Sequence, residues 1–176
     1  GCDYNNLQIK DEAVTEEWSE IQNQYQRRAD LVPNLVNVVK GYAKHEEQVL
    51  TEVTQARANV AGLKVDKEVL EDPALFQKYQ EAQAQMTGAL SRLIAVSENY
   101  PDLKANEQFR DLQVQLEGTE NRIAVARNRY ISTVQDFNSY ARQFPQVMTA
   151  KVIGMDTKPN FSAELSAQKA PTVSFN

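Results

Sequence analysis

The residues able to do chemistry in this chain are few and far apart. The single histidine, His45, is followed by Glu46 and Glu47, a trio that could hold a cation. A di-metal helical bundle, however, places Glu-x-x-His at helical spacing, and here Tyr42 stands three residues before His45. His45 therefore reads as a solvated or core-paired helix residue. The only cysteine is Cys2, so the folded body has no thiol nucleophile and no internal disulfide. The six glycines are isolated from one another, which excludes a glycine-rich loop cradling phosphates. Serines are scattered without a positioned base. The expectation is a protein that is not an enzyme and uses no metal or cofactor.

What is unusual is polarity inside apolar stripes. Arg28 and Glu46 fall on the core-facing phase of the first helical pattern, and Thr119 falls on the last, beside Glu120 and Arg122. A buried charge costs several kcal/mol unless it is paired and hydrogen-bonded, so such residues should find one another. Arg28 could instead snorkel, its stem covering apolar surface and its head reaching water. The sharper expectation is a polar layer that sets helix register, or a partner-binding groove, formed by Arg28, Glu46, Thr119, Glu120 and Arg122.

The elements that must position these residues are helices. From Val14 through Trp18, Ile21, Tyr25, Arg28, Val32, Leu35, Val39, Tyr42, Glu46, Val49, Val53 and Ala56 to Val60, the spacing alternates between four and three. That is the stripe of a helix packed on other helices. It runs through "ADLVPN", where Pro33 removes a backbone donor and bends a helix. Residues 11–60 thus read as one helix kinked at Pro33. A second helix over 73–100, capped by Asp72 with Pro73 in its first turn, buries Phe76, Tyr79, Met86, Leu90, Leu93 and Val96. A third over 104–143 buries Phe109, Leu112, Leu116, Ile123, Ala126, Tyr130, Val134, Phe137 and Ala141. A short helical turn is expected at 146–153, and the tail ends on an extended "PTVSFN".

The fold class expected is all-α: an elongated antiparallel up-and-down bundle of three long helices plus a short C-terminal helix. A reversal at Asp30–Asn34 would give four long helices instead. Gly41, Gly88 and Gly118 each interrupt a long helix, where glycine costs about 0.5–1 kcal/mol relative to alanine. Close helix approach at one height is the expected compensation. The organisation read from the chain is a tether over 1–10, the bundle over 11–153 and an extended tail over 154–176.

Composition narrows the partners. The chain of 176 residues is 41% hydrophobic and 24% charged with a net charge of -5, which suits one globular domain. An acidic chain without a basic patch argues against nucleic acid. No run of about 18 apolar residues exists to span a bilayer. Cys2 reads either as the lipidated first residue of a mature bacterial lipoprotein or as an ordinary thiol behind a leftover glycine.

Several stretches carry a family resemblance: "YNNL" at 4–7, "EEWSEIQNQYQRRADLVPNLVNVVKGYAKHE" at 16–46, "ARA" at 56–58, "LIAVSENYPDLKANEQF" at 93–109, "LQVQLEGTENRIAVARNRY" at 112–130 and the terminal "PTVSF". In this order they resemble the LemA family of bacterial envelope proteins. The resemblance implies an N-terminal membrane anchor just ahead of the "YN" segment and a mostly helical extracytoplasmic domain. Cys2 stands where that anchor would end, so a lipid on Cys2 would replace a membrane helix. The expected location is a membrane-anchored lipoprotein on the periplasmic side or at the cell surface, partnered with the membrane and with another envelope protein. The resemblance implies no reaction and no catalytic residues. The functions left open are a structural or adaptor module and, in the alternative, a sensor or small-ligand binding bundle that uses the polar layer as its pocket.

Overall fold

A computed structural model of the protein describes residues 2–63, 68–143, 155 and 157–161. These residues form helices and connecting turns, with no strand among them. The helices are α1 (Cys2–Tyr42), α2 (Glu47–Ala61), α3 (Glu68–Glu71), α4 (Pro73–Ser97), α5 (Pro101–Ala105) and α6 (Glu107–Arg142). At 41 residues α1 is about 60 Å long at 1.5 Å per residue. It runs antiparallel to α6, with Asn6 at one end of α1 bonded to Tyr140 near the end of α6 (3.1 Å) and Lys10 paired with Asp136 (2.6 Å). The shorter α2 lies against α4, and the product is an all-α bundle.

The apolar stripes account for this packing. Trp18, Ile21, Tyr25, Val32, Leu35 and Val39 are all buried on α1, as are the nine residues expected on α6. On α4, Phe76, Tyr79, Met86, Leu90 and Leu93 are buried, while Val96 lies partly open. Side chains cap two helix starts, the expected one at Asp72 and one at Asn106, which divides the helix expected from residue 104. Asp72 accepts hydrogen bonds from Ala74 N and Leu75 N with Pro73 in the first turn, and Asn106 accepts from Phe109 N.

The single helix expected over 11–60 is corrected in one respect. The chain passes through Pro33 as helix, without reversing there. It turns instead at Ala43–Glu46, where Ala43 N bonds Val39 O and Glu46 N bonds Ala43 O, and α2 folds back along α1. The apolar phase breaks at this turn. Ala43 and Leu50 enter the core, whereas Tyr42 is exposed and Glu46 and Val49 lie only partly covered. The long helices are therefore α1, α4 and α6, with α2 as a shorter fourth member.

The tether expected over residues 1–10 is also corrected. Helix begins at Cys2, and Leu7 is fully buried because it stands seven residues, two helical turns, ahead of Val14. At the other end of the chain, residues 157–161 dock onto α6. Asn138 Nδ2 donates to Lys158 O while Asn138 Oδ1 accepts from Lys158 N, Asn160 Nδ2 donates to Ile131 O, and Phe161 enters the core. The turn expected at 146–153 and the strand "PTVSFN" lie outside the described residues.

Close helix approach at the glycines is not what the packing shows. A Cβ added to Gly41 would meet nothing within 4 Å, one on Gly88 would first meet the Arg92 guanidinium at 3.4 Å, and one on Gly118 that of Arg122 at 3.5 Å. These neighbours are arginines one turn onward in the same helix. At these distances a Cβ on Gly88 or Gly118 would sit in ordinary contact with the arginine, so neither position requires glycine for packing.

Candidate functional site

The buried residues fall into two apolar cores. One, containing Leu7, Trp18, Tyr25, Phe76, Tyr79, Ile123 and Tyr130, lies toward the Cys2 end of α1. The other, containing Val32, Val39, Val53, Met86, Leu90, Leu116 and Phe109, lies toward the opposite end. Between them each long helix contributes polar side chains at one height: Arg28 from α1, Gln83 and Thr87 from α4, and Glu120 from α6.

Arg28 is the centre of this layer and is only 1% exposed, so it does not snorkel. Its Nη1 donates to Thr87 Oγ1 at 2.7 Å and to Glu120 Oε1 at 3.1 Å. Its Nη2 donates to both the backbone and side-chain oxygens of Gln83 at 2.9 Å. The guanidinium lies over the Tyr25 ring, 4.9 Å from its centre. One turn of sites thus ties three helices together through a planar fork of donors, which a lysine ammonium could not reproduce. Tyr25 extends the network, because its hydroxyl accepts from Arg127 Nη1 at 2.8 Å. Arg127 is itself buried and lies under the Phe161 ring, 3.9 Å from its centre. Burial raises the Tyr79 hydroxyl well above the ordinary tyrosine range, with the neighbouring Tyr25 adding to the effect; burial does the same to Tyr130. Both therefore act as neutral groups.

The five expected site residues divide as follows. Arg28 and Glu120 meet directly. Thr119 and Arg122 form an outer arm, in which Arg122 Nη2 donates to Thr119 Oγ1 at 3.4 Å and Arg122 Nε to Gln24 Oε1 at 3.3 Å. Glu46 does not join them. It lies in the α1–α2 turn and accepts from the Tyr100 hydroxyl at 3.1 Å, at the far end of the core distal to Cys2, the upper core. His45 is exposed in the same turn, and among the described residues no group of three or more His, Cys, Asp or Glu side chains could hold a metal ion.

Gln83, Thr87 and Arg127 were not expected in the layer, yet the sequence carries their signal as gaps. The apolar stripe of α4 jumps from Tyr79 to Met86, and Gln83 fills the skipped turn. The stripe of α6 jumps from Leu116 to Ile123, and Thr119 with Glu120 fills it. Gaps of this kind on α4 and α6, matching Arg28 on α1, are what a shared polar layer looks like in one dimension.

Residues 17–175 match the family model described as the LemA family. The chain belongs to the LemA family. The matched span contains the whole polar layer and the Pro33 turn of α1, so these features lie inside the LemA domain. A comparison with curated proteins returns no match.

Proposed function

We propose that this LemA-family protein is a non-enzymatic module of the bacterial cell envelope, held to a membrane by lipid on Cys2, whose helical rod engages another envelope protein. The observation that carries this reading is the placement of its most specialised side chains. Arg28, Gln83 and Thr87 bond one another inside the bundle and are at most 3% exposed, an arrangement suited to bracing helices. Support for the anchor comes from Cys2, which is exposed at the N-terminal end of α1, while no described helix is long and apolar enough to cross a membrane. Several acyl chains hold a protein at a bilayer where one alone binds reversibly. The rod then carries the α1–α2 turn, with exposed Tyr42, Lys44 and His45, to the end farthest from the anchor.

The test is expression of the full-length protein in its own host, with Cys2→Ser alongside. Wild type is expected in the membrane fraction with lipid mass on the N-terminal peptide, and Cys2→Ser is expected to be released from it. Quantitative retention of Cys2→Ser in membranes would refute the lipid anchor. Crosslinking in the same cells should give a stoichiometric envelope partner.

One observation favours a second reading, a small-ligand binding bundle. A groove of about 340 Å³ opens between α1, α2 and α4, lined by Tyr25, Ala29, Arg57, Val60, Tyr79 and Gln83, and it reaches the layer through Tyr25 and Gln83. A ligand-dependent rise in melting temperature without any captured partner would select this reading over the first.

A further inference from the structure

The polar layer does not close completely. Beside it lies a cavity of about 20 Å³ lined by Tyr25, Arg28, Thr87, Glu120 and Arg127 among others. Two of the lining side chains keep a buried donor without an acceptor: Arg28 at Nε and Arg127 at Nη2. Both arginines are nearly sealed, at 1% and 3% exposure. A guanidinium stays protonated in any protein environment, so the walls hold two positive charges. Glu120 supplies one negative charge, already engaged by Arg28. Among the described residues no carboxylate pairs with Arg127, whose other contacts are the Tyr25 hydroxyl and the Phe161 ring.

We infer that this cavity binds one small monovalent anion of halide size, with chloride as the physiological representative. The volume suits a single occupant, since one water-sized probe needs about 10–15 Å³, and it excludes phosphate and carboxylic acids. A water molecule there would accept from one or both donors but leave the net positive charge uncompensated. A halide accepts from both and balances the charge. An uncompensated buried charge is the costlier state, so the anion is the favoured occupant. The site ties Arg127 of α6 to Arg28 of α1 through the ion, and it makes the stability of the bundle depend on which anion is present.

The experiment compares thermal unfolding of the full chain in sodium chloride, sodium bromide and sodium gluconate at matched ionic strength. Chloride and bromide are expected to raise the melting temperature above gluconate by about 3–6 °C, the shift for an occupant at about ten times its dissociation constant in a domain of this size. Arg127→Met should abolish the difference, and Glu120→Gln, which leaves both arginines and removes the competing negative charge, should enlarge it. Should Arg127→Met fail to fold, wild type and Glu120→Gln still decide the matter. A crystal grown in bromide should show one anomalous peak within hydrogen-bonding distance of Arg28 Nε and Arg127 Nη2. Equal melting temperatures in chloride and gluconate, no enlargement in Glu120→Gln, or a bromide crystal without that peak would each overturn the inference and leave the cavity to water.

Discussion

Arg57 on α2 donates from Nε to the backbone carbonyl of Ala29 on α1, at 3.2 Å. In an α-helix that carbonyl would accept from the N–H of residue 33, and Pro33 has none. The second helix thus satisfies the acceptor that the proline leaves open in the first, and the hairpin closing at Ala43–Glu46 brings Arg57 to that height. Arg57→Met is expected to cost about 1 kcal/mol, the net worth of such a bond, or about 2–4 °C in melting temperature. Restoring the backbone donor with Pro33→Ala should make Arg57→Met nearly silent. A double-mutant cycle by thermal unfolding checks this, and an equal cost in both backgrounds would show that Arg57 contributes by some route other than the freed carbonyl.

The ion pair of Arg28 and Glu120 gives a prediction with an asymmetry. Removing one member of a buried pair leaves the other uncompensated, at about 3–5 kcal/mol, whereas replacing both with apolar side chains is often close to neutral. Glu120 is 12% exposed and can be partly hydrated, so Arg28→Met should fall near the lower figure, about 3 kcal/mol. Adding Glu120→Leu should recover at least half of the loss. The measurement is the urea midpoint at constant slope. Additive losses in the double variant would mean that Gln83 and Thr87, and not the charge pair, dominate the contribution of Arg28.

Tyr79 and Tyr130 link stability to alkaline pH. Burial holds both hydroxyls above their ordinary range, so the folded state binds these protons more tightly than the unfolded state does. The stabilisation is complete below the unfolded value of about 10 and is lost as pH rises beyond it. Of the seven tyrosines, these two are expected to ionise only together with loss of helical circular dichroism. Tyrosinate absorbance followed beside the helical signal would expose the contrary outcome, full ionisation of every tyrosine in an intact bundle.

How much of this was legible in advance depended on whether the signal was periodic. The stripes of α4 and α6 were, and apart from Val96 their core residues sit where the spacing puts them. The turn at Ala43–Glu46 was hidden because Val39, Tyr42, Glu46 and Val49 keep the alternation of four and three while the backbone reverses. The alternation in the sequence cannot show that the buried positions shift to Ala43 and Leu50 across the turn. Pro33 drew attention to the wrong break, since its lost donor is compensated from α2, whose arginine lies 24 positions further along the chain. Arg28 could be seen as a misplaced charge, and Glu120 as a neighbour of the stripe position Thr119. That Gln83 and Thr87 complete their shell depends on the relative heights of α1, α4 and α6, which no single stripe encodes. Glu46 shared the periodic phase but not the height, and so fell at the far end of the molecule.

Phe161 lay beyond any periodic signal, in a segment that reads as a polar tail, yet it is 4% exposed and joins the aromatic cluster. Its ring centre lies 5.1 Å from that of Phe76 and 5.6 Å from that of Tyr130, and it covers Arg127. The reciprocal bonds of Asn138 with Lys158, the Lys158–Asp11 pair at 2.9 Å and the bond from Tyr130 Oη to Pro159 O hold the segment in place. Residues 157–161 therefore act as a strap across the half of the bundle that α2 does not reach. Truncating a buried phenylalanine removes its transfer free energy and leaves a cavity, together about 3–5 kcal/mol. Phe161→Ala should thus lower the melting temperature by about 6–20 °C in a domain of this size and expose Arg127 to water. Hydrogen exchange should show the loss of protection concentrated along α6 between Ala126 and Phe137, with the upper core around Leu90 and Leu116 unaffected. A melting temperature within about 2 °C of wild type, less than the shift for 1 kcal/mol, would mean that the segment docks without bracing the core.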